Sequence, residues 1–220
     1  MKKFASVLMT AAIVVTLAVS VGAAPKVYEV KKAAAPVVCD GDLKEWAGIT
    51  PIELKLSDGG AVKTYAMWDA SALYFAFEVE DKVQANSQSG SNIWNGDSVQ
   101  ISLDPKNQKS AYGYGLYDYE FGYALTSLGK DSYAWQLGLG VKFDPAAQDY
   151  AIVHKDGVTV YEIVLTAAQI APTVLEKGST FGANVLVNDD DGDGRSFVEW
   201  TPGIGDSKDP SKYNNFTLVD

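Results

Sequence analysis

The chain has 220 residues, with 18 basic against 28 acidic side chains and a formal net charge of −10. A surface this acidic repels phosphate backbones and anionic lipid, which sets aside nucleic acid and membrane surfaces and leaves neutral ligands, cations or basic proteins as partners. The single cysteine, Cys39, cannot form an internal disulfide, so the fold must rest on a hydrophobic core, which this length supports in one domain.

In chain order, Lys2 and Lys3 precede an apolar run from Phe4 to Val21 and then Gly22, Ala23 and Ala24. This is the pattern of a secretory signal with cleavage after Ala23, so residues 1–23 are expected to be removed and the protein to be secreted or periplasmic. Membrane contact would end with that cleavage. Residues 24–36, containing AAP, KK and AAAP, read as a flexible leader, with the domain spanning 37–220. Strand patterns then follow at Val62–Trp68, Leu73–Glu80, Ser98–Leu103, Tyr117–Thr126, Tyr133–Phe143, Tyr150–His154, Val158–Leu165, Phe181–Asn188, Phe197–Trp200 and Phe216–Val219. Turn residues separate several of them, including SDGG at 57–60 and HKDG at 154–157. Only residues 166–176 could hold a helical turn, and Pro172 limits it. About ten short, regularly spaced strands predict an all-β, antiparallel β-sandwich of the immunoglobulin-like or DOMON-like kind.

Within SNIWNGDSVQISLDP, residues 91–105, alternation puts Val99, Ile101 and Leu103 on a core face and Ser98, Gln100 and Ser102 on the other. Trp94 stands just ahead among small and polar residues. Six stretches share one order: VCDGDLKEW at 38–46, VKTYAMWDASALYFAFEVED at 62–81, IWNGDSVQISLDP at 93–105, VYEIVL at 160–165, NVLVNDDDGDGR at 184–195 and DPSKYNNFTL at 209–218. Together they resemble the family 9 carbohydrate-binding modules, over essentially the whole chain after the leader. The resemblance implies a non-enzymatic, calcium-holding β-sandwich that binds oligo- or polysaccharides of the xylan or glucan class, beside secreted glycoside hydrolases.

The resemblance also assigns site residues. It makes Trp94 one wall of a two-tryptophan clamp that stacks on a pyranose ring. The second clamp tryptophan belongs just before DPSK, where this chain has Lys208. Gln100 stands where sugar-binding members offer a carboxylate, and Gly122 and Ala124 stand where they offer an arginine and an asparagine. Two outcomes stay open: a ligand held on an open platform with help from Tyr112, Tyr114 or Trp135, or a surface scaffold that has lost sugar binding. Trp46, Trp68 and Trp200 match core positions of the family.

The strongest chemical signal is NDDDGDGR. Asp189, Asp191 and Asp193 at a spacing of two, followed by Gly194, repeat the first half of a calcium loop, in which alternate carboxylates turn toward a hard cation. By resemblance, Glu45 and Asp81 would serve a second structural ion. Catalysis finds no support, since no nucleophile and base pair can be built around the single histidine, His154. A haem-carrying electron-transfer domain of the related sandwich is the alternative. It would need axial ligands, and beyond the signal only Met67 and His154 offer the usual pair.

Overall fold

A computed structural model describes residues 25–192 and 194–220. The signal segment and Asp193 lie outside the described residues. Among the described residues are twelve strands: β1 Val27–Lys32, β2 Ile52–Lys55, β3 Ala61–Trp68, β4 Ala72–Glu80, β5 Ser98–Asp104, β6 Tyr119–Thr126, β7 Gly129–Gln136, β8 Asp149–Lys155, β9 Val158–Thr166, β10 Thr180–Asp189, β11 Ser196–Glu199 and β12 Asn214–Val219. The all-β expectation is met. Ten strands and a wholly antiparallel pairing are not, because β1 and β2 are added and β1 runs parallel to both of its neighbours.

One mixed sheet follows the order β7-β6-β5-β10-β12-β1-β3-β4-β9-β8, with β11 also on β10 and β2 also on β3. The sheet folds back on itself, so its two halves face each other across the main core. Phe75 of β4 stacks on Phe216 of β12 at 5.9 Å between ring centroids. Near the free ends, Tyr123 of β6 meets Tyr150 of β8 at 5.1 Å, and the Lys130 ammonium donates to the Tyr150 carbonyl at 2.8 Å. The result is a nearly closed, barrel-like sheet. Within the stretch expected to be a flexible leader, Val27–Lys32 instead form β1, which lies between β12 and β3 with Val30 fully buried. Its partners are the C-terminal strand and β3, and a pairing this distant in sequence leaves no local pattern to read.

Both outer faces of the sheet are partly covered. On one, Val37, Trp46, Met67 and Tyr74 form a second cluster under residues 33–49. The buried Glu162 carboxylate ties that segment down by accepting from the N–H groups of Asp40 and Gly41 at 3.0 and 2.7 Å and from Trp46 Nε1 at 2.9 Å. Trp46 and Trp68 are buried, and Trp200 packs its ring on Phe216 at 5.9 Å. On the other face, Leu186, Ile204 and Tyr213 form a third cluster with Tyr114 and Phe197. This covering explains why all seven residues of β5 are buried, although its core-facing side chains are only the alternate ones, Val99, Ile101 and Leu103. The polar set of β5 points under the loops of that outer face. After Thr166 closes β9, residues 167–172 form turns, and no helix lies within 166–176.

Candidate functional site

A cavity of about 270 Å³ opens over the outer face of β5 and β6 and is lined by Trp94, Gln100, Glu120, Trp135, Arg195, Ile204, Gly205 and Lys208. Register builds its floor. Gln100 of β5 pairs with Gly122 of β6, and Ser102 pairs with Glu120, so two polar side chains from adjacent strands lie one step apart on the same face. The volume is just under the roughly 300 Å³ at which small-molecule pockets begin.

Two indoles wall this cavity. In the loop before β5, Asn86 Nδ2 donates to the carbonyls of Ile93 and Asp97 at 2.8 and 3.1 Å, fixing a tight turn. That turn drives Ile93 fully into the interior and leaves Trp94 outside, 38% exposed. The apolar plug is the isoleucine, which frees the tryptophan. The second indole is Trp135 of β7, whose six-membered ring lies over Gly122, where a methyl group on the glycine would overlap Cη2 and Cζ3. Its Nε1 donates to the Ser91 carbonyl at 3.0 Å, which joins β7 to the Trp94 loop. Where the resemblance leads one to expect an arginine, Gly122 instead leaves space for the Trp135 ring.

Lys208 leaves no wall missing by accident, because it has another partner. Its Nζ donates to Glu120 Oε1 at 2.6 Å, and Tyr114 donates to Glu120 Oε2 at 2.6 Å. Glu120 is buried beneath them, its side chain 1% exposed, whereas that of Lys208 is 46% exposed. Burial pushes the Tyr114 hydroxyl far above its ordinary pKa, so it stays a donor to the carboxylate. Deeper still, Tyr213 donates to Ser102 Oγ at 2.7 Å, and Ser102 donates to the Tyr119 carbonyl at 2.6 Å. Gln100 differs from all of these. It is 3% exposed, and its side-chain amide makes no hydrogen bond among the described residues. The amide opens into the cavity, where a ligand or water can meet it.

Arg195 enters from the turn before β11. Its Nε donates to Asn188 Oδ1 at 2.7 Å, and its guanidinium carbon lies 5.1 Å from the Trp94 ring centroid and 4.4 Å from that of Phe197. The expected residues Trp94, Gln100, Trp135 and Lys208 are therefore brought together around one cavity, with Glu120 and Arg195 added. Glu120 was legible in principle, since strand parity puts it on the face of Gly122. Arg195 follows an acidic loop, and nothing in its local sequence aims it at Trp94. Tyr114 serves Glu120 as a hydrogen-bond donor, and Tyr112 is fully exposed.

Asp189 and Asp191 are also brought together, but with Asp81 at the end of β4, each offering an oxygen within 4.8 Å of the others. Asp81 thus joins the acidic loop rather than a separate pair with Glu45, which lies beside Lys44 at 3.8 Å. Ser57, Asp58 and Ser196 line the same polar hollow. Burial, then the Asp191 and Asp81 charges, push the Asp189 carboxyl up to about 6. The neighbouring Asp97 carboxyl is also raised, by burial first, although it accepts from the N–H groups of Ala85 and Asp190. Carboxylates crowded this way suit a divalent cation with hard oxygen ligands. Of the two haem-ligand candidates, Met67 is packed in the second cluster, and His154 engages Thr159 Oγ1 through Nδ1 at 2.9 Å.

Comparison with known proteins agrees with this geometry. The family model described as carbohydrate family 9 binding domain-like matches residues 49–220. The endo-1,4-beta-xylanase A of Thermotoga maritima is 29% identical over 192 residues, which are 83% of this chain and 17% of that enzyme. This chain therefore spans about a sixth of the xylanase's length. A family 9 carbohydrate-binding module from Caldicellulosiruptor kristjanssonii, solved in complex with cellotriose, superposes with a TM-score of 0.71 at 20% identity, covering 88% of this chain and 94% of that one. A structure of a family 9 module from the same organism, in complex with glucose, gives a TM-score of 0.65 at 22% identity over 88% and 95%.

Proposed function

Because the chain belongs to the carbohydrate family 9 binding domain-like family, we propose that it is an exported, non-catalytic module that holds β-linked xylan or glucan chains between Trp94 and Trp135. The observation that carries this reading is the pair of indoles, Trp94 and Trp135, lining one cavity into which the Gln100 amide opens without a protein partner. Pyranoses combine apolar C–H faces with a rim of hydroxyls. Such a ligand stacks on the indoles while a hydroxyl reaches the amide and others reach Lys208 and Arg195. The sugars in the related structures are of this chemistry, and the xylanase relative acts where such chains are degraded. A secreted glycoside hydrolase is accordingly the expected partner.

Calcium at Asp81, Asp189 and Asp191, with Asp193 and loop oxygens, belongs to the same proposal. It would tie the end of β4 to the end of β10 and keep the Arg195 turn in place. The test of the sugar reading is affinity electrophoresis on soluble xylans and glucans. Retardation of the natural protein should be lost or sharply reduced in Trp94→Ala, with a stability loss of about 1 kcal/mol from the ring–guanidinium contact. No retardation on any of these polymers would overturn the reading.

A further inference from the structure

Arg195 is a charge without a counter-charge in contact. Among the described residues no carboxylate forms an ion pair with it, and apart from Nε its guanidinium nitrogens make no hydrogen bond. Of the two acids whose field reaches it, Glu199 is engaged, its Oε2 accepting from the N–H groups of Ile204 and Gly205 at 2.9 and 3.2 Å, and Asp206 is exposed to solvent. Asp206 and Glu199 reach Arg195 only through their field, while burial lowers its pKa from the ordinary value. Elsewhere in the cavity the charges cancel, since Lys208 is matched by Glu120. The Lys208 ammonium has three protons and spends one on that pair, and its side chain is nearly half exposed. The open valences of the cleft are therefore the Arg195 fork, the remaining Lys208 protons and the Gln100 amide, which offers both a donor and an acceptor.

Resting on the reading that this cleft holds a saccharide, we propose that it selects a sugar chain bearing a uronic-acid residue, whose carboxylate is taken by the guanidinium of Arg195 with the ring stacked beside Trp94. A planar guanidinium presents paired N–H groups that match a carboxylate bidentately, a geometry that a hydroxyl cannot fill. Cation–π contacts with Trp94 and Phe197 and the hydrogen bond to Asn188 hold the guanidinium beside the cavity. The net charge of −10 opposes polyanions at a distance, but charges beyond about 8 Å are screened at physiological salt. The favoured ligand is thus an isolated uronate on a neutral backbone, not a polyuronate.

Calorimetric titration with xylotetraose and with the same tetraose carrying one glucuronate branch tests this on the natural protein. The branched sugar is expected to bind about tenfold tighter, a difference of about 1.4 kcal/mol, and the ratio should shrink as salt is raised. Arg195→Gln should bring the two dissociation constants together, while Arg195→Lys, which keeps the charge without the fork, should retain part of the ratio. Equal affinity of the natural protein for the two sugars overturns the uronate selection and leaves a neutral-sugar site standing. Binding of neither also overturns it, and the sugar reading falls with it only if retardation on the polymers fails as well.

Discussion

Glu120 and Lys208 show how one substitution in a binding site is absorbed by its surroundings. A buried carboxylate with only Tyr114 as donor would carry an uncompensated charge, and the ammonium at 2.6 Å supplies the compensation. Placing tryptophan at 208 to rebuild a two-walled clamp would therefore cost more than it restores, because it strips Glu120 of its cation and competes with a second wall that Trp135 already provides. Lys208→Met should lower stability by about 1–3 kcal/mol, the range for a buried polar group left unsatisfied. Glu120→Gln added to it should recover most of that loss. Urea unfolding of the two single variants and the double variant measures the coupling, and strictly additive losses would show that the pair is not a unit. Gly122 makes the same point by absence, since any side chain there would displace the Trp135 ring.

At the level of elements, β1 is the unexpected member. Its six residues pair with β12 over five positions and with the end of β3, and the Lys26 N–H donates to Asn214 Oδ1 at 2.8 Å. A protein that begins at Val37, the boundary suggested by composition, would leave the facing edges of β12 and β3 unpaired and uncover the cavity left by Val30. Unpaired edges of that kind invite aggregation. The shortened protein is expected to lose its cooperative thermal transition, whereas one beginning at Pro25 keeps it. Equal melting temperatures for the two, followed by circular dichroism, would show that β1 adds nothing to the fold. The sandwich halves depend on the same strand, because β1 is their only sequential link along the sheet path.

For the whole molecule, the excess of acid over base sets the response to pH and cations. Asp189 in the ion-free fold has its carboxyl pushed up to about 6 from 3.8, by burial and then by Asp191 and Asp81. A folded value above the unfolded one means that the fold holds the proton more tightly. The contribution of this group to stability is therefore complete below the unfolded value and lost as pH rises through about 6. Under the calcium proposal the ion would replace that proton. The rise in unfolding temperature on going from EDTA to excess calcium should be small near about pH 5 and grow to its full size above about pH 7. At a hundredfold excess over the dissociation constant it corresponds to about 2.7 kcal/mol. Identical midpoints with chelator and with calcium at neutral pH would remove the ion from the account, and a gain independent of pH would place it away from Asp189.

By itself the sequence determined the β character and most strands, because alternation such as Val99, Ile101 and Leu103 against Ser98, Gln100 and Ser102 is a local property of the chain. It also marked Trp94, Gln100 and Lys208 at family positions, and Trp135 as a ring that could help on an open platform. Tertiary structure alone decided what those residues do together. The Lys208–Glu120 pair joins positions 88 residues apart, Trp135 settles over Gly122 from the next strand, and Asp81 reaches Asp189 across more than a hundred residues. The same holds for β1, whose hydrogen-bonding partners lie near the other end of the chain and in β3. Contacts of this range depend on sheet order and register, and neither is written in any local stretch of residues.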